Sequence, residues 1–360
     1  MKKGLILVVL SIALITHLSC TETLDNDAVV LDESIYDTAQ KVFPDTVCIF
    51  SDTVLSSHAL MIDGRYAVLS MDDRTSYFLK VYDTETMMPV TDYLHYGNGP
   101  YEVLGASVEI TDGRMVVHDR INSVVYQMPC TDVPVGGNLI DRKYAFMSNE
   151  VLPYGDGFVA LNPYWFEDER LGISNGEPRL FFSDGMEICY DDTKLRSNTA
   201  MDADLLCSSP NGRIAYVDRY CPLVEIYDDT LGLVRKVFGP GTEMPLYRQN
   251  GDINIVWEEL PLTTWQSACA DDDYIYLLWN GIKDDQKVER PQTYMYEADG
   301  EEKDLLLVVL NWEGALVKAF RPQGLTSYSV LSVGDGDGVV YASSVDSDMT
   351  HLSILNYRIF

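Results

Sequence analysis

Basic residues are scarce in this chain: 26 Lys and Arg stand against 56 Asp and Glu, for a net charge of −30. A surface so acidic repels phosphate backbones, which excludes nucleic acid as a partner. Histidine is scarcer still. The five present (His17, His58, His95, His118 and His351) show no ligand spacing, and none of the seven cysteines forms a C-x-x-C pair. Zinc and dithiol redox sites are therefore not indicated, and no metal or other cofactor is expected. The cysteines are too few and too irregularly spaced for a disulfide scaffold and read mostly as buried apolar residues, with one or two bridges open in an oxidising compartment. A G-x-S-x-G elbow, an H-E-x-x-H pair and a phosphate-binding glycine loop are all missing. Beyond the N-terminus no apolar run is long enough to span a bilayer, and no Pro/Ser/Gly-rich linker divides the chain.

What is present begins with MKKGLILVVLSIALITHLSC. Lys2 and Lys3 precede an apolar stretch from Gly4 to Leu18, and small Ser19 precedes Cys20. This is a secretory leader over residues 1–19, too short for a spanning helix. A cysteine directly after the stretch resembles a bacterial lipoprotein signal, although His17 stands where Leu or Val is preferred. The resemblance implies acylation of Cys20 and membrane attachment by lipid alone. Residues 20–44, opening with the polar TETLDNDAVVLDE, read as an acidic tether before a domain over 45–360. Glu22, Asp25 and Asp27 resemble a surface-export signal.

After residue 45, helical periodicity is hard to find and short β-type runs recur. GRIAYVDRYCPLVEIYDDTLGLVRKVFGPG (212–241) has relatives in GRMVVHDRINSVVYQM (113–128) and GRYAVLSMDDRTSYFLKVYDTET (64–86). Weaker copies are DGFVALNPYW (156–165), DDYIYLLWNG (272–281) and DGVVYASSVDS (337–347). Aligned on Gly64, Gly113, Gly157, Gly212, Asp273 and Gly338, the copies recur at roughly 45–65 residues, a spacing that suits four-stranded propeller blades. The turns Asn211-Gly212, Asp112-Gly113 and Asp63-Gly64 are hairpin signals, because those residues tolerate positive φ. The predicted fold is all-β: a six-bladed β-propeller of four-stranded antiparallel blades. Pairing of TVCIF (46–50) with HLSILNYRIF (351–360) is expected to close the ring.

YLHYGNGPYEVLGASVEITDGRMVVHDRINSVVYQM (93–128) resembles an NHL-type repeat, with its Gly-x-Gly-Pro break, Gly turn, strand ending in Asp, polar break and further apolar strand. With the leader, the chain resembles the TolB-like six-bladed propeller lipoproteins of Bacteroidetes-type bacteria over about residues 45–360. The resemblance implies an outer-membrane lipoprotein, facing the periplasm or the cell surface. Where the repeat has Asp-Arg, the third copy has Asn162-Pro163 and the fifth Trp279-Asn280.

In a propeller the d-to-a and b-to-c connections share one face, where ligands usually bind. Asp73-Arg74, Asp119-Arg120 and Asp218-Arg219 occupy like places in their units. One reading makes each Asp a cap on its turn, with Arg paired to the next blade. The other places Arg74, Arg120 and Arg219 around the channel mouth, where guanidinium forks hold carboxylates or sulfates. Candidate ligand-binding residues on this face are Arg74, Asp119, Arg120, Asp218, Arg219, Asn98, Trp165, Trp279 and Asn280. One reading makes Trp165 and Trp279 sugar platforms, and the other makes them ordinary packing of aromatics between blades. Calcium is considered at GDGDG (334–338) and Asp271-Asp272-Asp273, but both fall where hairpin turns are needed, and the first lacks the calcium-loop pattern. The favoured function is a non-enzymatic binding or scaffold module for an envelope protein, peptide or glycan. The alternative is a calcium-dependent lactonase or lyase, with Asp119, Asp218, Asn162 and Asn280 converging.

Overall fold

A computed structural model describes residues 28–51, 57–63, 65–71, 77–111, 114–119, 121–135, 137, 140–143, 150–154, 157–161, 169–174, 180–184, 187–190, 193–196, 203–208, 212–218, 222–230, 232–240, 247–250, 252–255, 264–281, 304–325, 329–333, 338–345 and 351–360. Strands b and c read as unbroken apolar runs because both their faces are covered. Ile214–Asp218 and Leu223–Tyr227 are buried at every position. The core lies in wedges between neighbouring sheets. One cluster joins Leu79, Val81 and Val103 to Met115, Val117 and Tyr126. A second joins Val217 and Val224 to Trp265, Trp279 and Val308. A third joins Tyr276 and Leu307 to Val340 and Tyr357. Each such aliphatic side chain contributes about 1.5–3 kcal/mol on burial.

The chain is a β-propeller, but not the expected ring of six equivalent four-stranded antiparallel blades. Five blades are seen as packed units. Blade 1 runs Ser57–Asp63, Tyr66–Met71, Tyr77–Asp83, Met88–Tyr96, with Glu102–Val103 added in parallel. Blade 2 is Ala106–Thr111, Arg114–Asp119, Val124–Pro129 and Ile140–Lys143. Blade 3 is Ala203–Ser208, Ile214–Asp218, Leu223–Tyr227 and Leu233–Phe238, and blade 4 is Thr264–Ala270, Tyr274–Gly281, Asp304–Asn311 and Leu316–Pro322. Blade 5 is Leu331–Val333, Val339–Val345 and His351–Arg358, with Asp45–Ser51 as its outer strand. The termini therefore share a sheet, in which Asp45 faces Asn356 and Ser51 faces His351.

Between blades 2 and 3 lies a four-stranded antiparallel sheet, Glu150–Tyr154, Gly157–Leu161, Glu169–Ser174 and Leu180–Asp184. It is described in its backbone pairing and in one buried side chain, Val159. The additional copy counted from repeat spacing, aligned on Gly157, falls in this sheet. Among the described residues, Glu187–Tyr190 pairs only with Thr193–Arg196, and Tyr247–Asn250 only with Asp252–Ile255. A Gly turn marks any hairpin, whether or not its strands enter a blade.

The stretch expected as tether departs from expectation where it is described. Val29–Val30 joins the outer edge of blade 3 in parallel, and Gln40–Val42 does the same on blade 4. A short helix between them, Ser34–Thr38, opens with Asp32 Oδ1 accepting from the Ser34 N–H. Leu31 and Ile35 are buried in the wedge between these blades. The acidic composition hid this docking, because two buried aliphatics in fifteen residues leave little periodic signal. The strap then continues into blade 5, so residues 28–51 bind the outer edges of three successive blades. Among the described residues, no helix is long and apolar enough to cross a membrane.

Candidate functional site

Strand b of each blade ends on the loop-rich face, and pairing with strand a fixes which residue arrives there. Asp119 faces Ala106, Asp218 faces Ala203 and Asn280 faces Thr264, in each case the first residue of strand a. The three thus share one position. In the fifth copy Asn280, rather than Trp279, is the counterpart of the aspartates. A one-residue shift along a strand sends the side chain to the opposite face.

Of the two readings of Trp279, sugar platform or packing between blades, the buried indole takes the second. The indole is fully buried in the wedge between blades 3 and 4, 4.7 Å from Trp265 in an edge-to-face pair. Its Nε1–H donates to the Tyr36 hydroxyl on the strap at 2.8 Å. Only a glycine fits at 239: a Cβ there would lie 2.6 Å from the Trp279 ring. Asn280 is also buried, and its Oδ1 has no hydrogen-bond partner among the described residues.

Asp119 is fully buried and both its oxygens are engaged. Oδ1 accepts from the backbone N–H groups of Ile121 at 3.0 Å and Asn122 at 3.1 Å. Oδ2 accepts from the Asn122 side chain at 2.8 Å and from the Leu104 N–H at 3.1 Å. One carboxylate thus closes its own turn and fastens it to the loop that leads out of blade 1. Asp218 is equally buried and accepts from the Tyr216 hydroxyl at 3.4 Å. The break after blade 3 adjoins the b-to-c connection in the same way, with the Gly239 N–H donating to the Pro222 carbonyl at 2.7 Å.

Asn98 stands exposed in the bend after blade 1. Arg74, Arg120, Arg219, Trp165, Cys20 and Asn162 lie outside the described residues. Two exposed residues on this face escaped sequence reading: Tyr101, directly after the Gly-x-Gly-Pro break, and Ile121, directly after the Asp-Arg pair. Tyr101 has φ +59°, an uncommon conformation for a residue with a side chain. Its place next to a conspicuous break is the only cue that the sequence offered.

Turn chemistry accounts for the Asp271-Asp272-Asp273 run, whereas 334–337 of the GDGDG run lie outside the described residues. Asp271 Oδ1 accepts from the N–H groups of Asp273 and Tyr274, and Oδ2 accepts from the Tyr276 hydroxyl. Burial, reinforced by that bond, pushes the Tyr276 phenol far above its usual range. At the ends of strand c, Asp83, Asp228 and Asn311 close the c-to-d turns by accepting backbone N–H groups. Among the described residues no three His, Cys, Asp or Glu side chains are grouped to hold a metal.

Asp83 also carries a pH dependence. The Arg65 guanidinium donates to its carboxylate and, helped by two backbone N–H groups, holds its pKa down to about 2, against 3.8 for a free side chain. A depressed carboxylate contributes stability above the unfolded value and loses it as pH falls through the folded one. The c-to-d turn of blade 1 is therefore expected to stay closed at pH 4 and to open only as pH approaches 2. A carboxyl carbon titration of Asp83 by NMR with a midpoint near 4 would contradict this.

No family model matches the chain, and no curated protein matches it. Solved structures do share its architecture. A candidate exported protein from Bacteroides fragilis NCTC 9343 superposes with a TM-score of 0.57 at 9% identity, covering 92% of this chain and 99% of that one. A member of the DUF4221 family from Bacteroides vulgatus ATCC 8482 gives 0.55 at 10% identity, covering 89% and 99%. At such identity the likeness is one of fold, the β-propeller.

Proposed function

We propose that this chain is an extracytoplasmic, lipid-anchored binding or scaffold propeller of the TolB-like and NHL-like kind. Its loop-rich face engages an envelope protein, peptide or glycan. The observation that carries this reading is the state of Asp119: four hydrogen bonds occupy its two oxygens, and the residue is fully buried. A general base or calcium ligand needs a lone pair open to substrate or metal. The exposed side chain next to it in its own turn, Ile121, suits contact rather than proton transfer. This weighs against the lactonase or lyase alternative.

The anchor reading rests on the leader and Cys20, and places the protein in the outer membrane, facing the periplasm or the cell surface. From Cys20 to Val29, where the strap meets blade 3, the chain reaches at most about 30 Å. Anchored this way, the propeller is held close to the bilayer by its rim.

Fractionation and pull-down of the wild type beside Cys20→Ala test both parts. The wild type is expected in membranes and Cys20→Ala in the soluble fraction, with the same envelope partner retained by each after solubilisation. Soluble behaviour of both forms would remove the anchor. Turnover of a lactone or polyuronate that is abolished by EDTA would replace the binding module with the enzyme.

A further inference from the structure

The break that follows blade 1, Gly97-Asn98-Gly99-Pro100, closes on itself and carries a carboxylate at its centre. The Gly97 N–H donates to the Val103 carbonyl at 3.0 Å, and the Glu102 N–H donates to the Gly99 carbonyl at 3.1 Å. Glu102 folds back over the loop, and its Oε2 accepts from the Gly99 N–H at 2.6 Å. Such an approach needs glycine on both sides. A Cβ on Gly99 would lie 2.9 Å from the carboxyl carbon, and one on Gly97 would overlap Oε2. The far end of the loop is held as well: the Tyr126 hydroxyl donates to the Glu102 carbonyl at 3.3 Å, and Asp119 accepts from the Leu104 N–H at 3.1 Å. Asn98 itself is exposed.

An Asn-Gly step can close a five-membered ring, because the glycine nitrogen reaches the Asn side-chain carbonyl with no Cβ in the way. An amide nitrogen is a poor nucleophile while its lone pair is delocalised into the peptide bond. The ring therefore closes as the N–H proton is drawn off. A carboxylate within hydrogen-bond reach of that proton meets the geometric requirement for a general base. The N–H lies in the peptide plane and attack on the side chain runs perpendicular to it, so Glu102 can take the proton without covering the attacking face.

We propose that Asn98-Gly99 is a self-modification site with Glu102 as its general base. The Gly99 nitrogen bonds to Asn98 Cγ as its proton passes to Glu102 Oε2. That proton then goes to Asn98 Nδ2 as the Cγ–Nδ2 bond breaks, and ammonia leaves. Water opens the succinimide at Cγ to give aspartate, or at the main-chain carbonyl to give isoaspartate. Either product places a second negative charge in the loop that Glu102 occupies. The step uses only this loop and water, so it stands whether or not the loop-rich face binds a ligand. Asn280-Gly281 supplies the contrast within the same chain. Its asparagine is buried, and both residues are paired in a strand, facing Leu305 and Asp304, where the backbone is held extended.

Peptide mapping by mass spectrometry of the folded chain, stored for weeks in buffer, tests the proposal. Asn98 is expected to convert to aspartate and isoaspartate while Asn280 stays intact. The wild-type rate is expected to stay level between about pH 6 and pH 8, where hydroxide alone would raise it about tenfold per unit. Glu102→Gln keeps an acceptor for the Gly99 N–H but removes the base, and is expected to slow conversion at least about tenfold. Equal or faster conversion in folded Glu102→Gln would mean that the bond merely shields the nitrogen, and overturns the proposal. An Asn98 that stays intact, a wild-type rate that climbs with hydroxide, or conversion of Asn280 at the rate of Asn98 does the same. The pH profile is read on the wild type alone, so it decides even where the variant does not fold.

Discussion

Trp279→Ala is expected to destabilise the propeller by about 3–5 kcal/mol, the range for truncating a large buried aromatic whose site cannot collapse. Collapse is hindered here because Trp265 and Gly239 hold the walls of the wedge between blades 3 and 4. The same substitution removes the indole donor from the Tyr36 hydroxyl and loosens the strap that continues into blade 5. Denaturant unfolding should therefore show a lowered midpoint. Limited proteolysis should cut first within residues 28–44. Tyr36→Phe isolates the hydrogen bond: it leaves the indole N–H buried without an acceptor, for about 1–3 kcal/mol. A Trp279→Ala protein of wild-type stability would mean that the strap and this wedge do not hold the ring.

Asp119→Ala has the second-largest expected effect, about 3 kcal/mol, because backbone N–H groups of Leu104, Ile121 and Asn122 lose a charged acceptor together. Asp119→Asn keeps one acceptor oxygen and should fall between wild type and alanine. The ordering matters more than the size, since water reaches part of the opened turn. Thermal unfolding of the three proteins measures it. If Asp119→Asn equals the wild type while Asp119→Ala is strongly destabilised, packing rather than the carboxylate holds the turn.

These two residues also show what the sequence made legible. The β-propeller and the position of Asp119 and Asp218 followed from repeated Gly turns and apolar runs, because hairpin chemistry is local and reads directly from neighbouring residues. Pairing between the ends, Asp45–Ser51 with His351–Arg358, was likewise foreseeable, since a ring needs a partner for its first strand. The blade count was not, because the Gly157 turn reads as a hairpin like the others, and a hairpin signal is local and does not say whether its sheet packs as a blade. Trp279 had two readings, platform or packing between blades, and alignment on Asp-Arg could not choose between them, because strand register depends on the partner strand. The strap escaped notice because Leu31 and Ile35 sit among acids. Tyr101 escaped because left-handed backbone at a tyrosine is enforced by Glu102 and Asp119, from outside its own position.

The central claim is that buried carboxylates stiffen the loop-rich face so that a few exposed side chains meet a ligand in fixed geometry. Amide hydrogen exchange at Leu104 and Ile121 reports on it most directly, read in the wild type and in Asp119→Asn, with and without EDTA. Slow exchange in the wild type, unchanged by EDTA and at least about tenfold faster in Asp119→Asn, is the predicted result, a factor of ten being about 1.4 kcal/mol of local stability. Fast exchange in the wild type, or protection that EDTA removes, would contradict it.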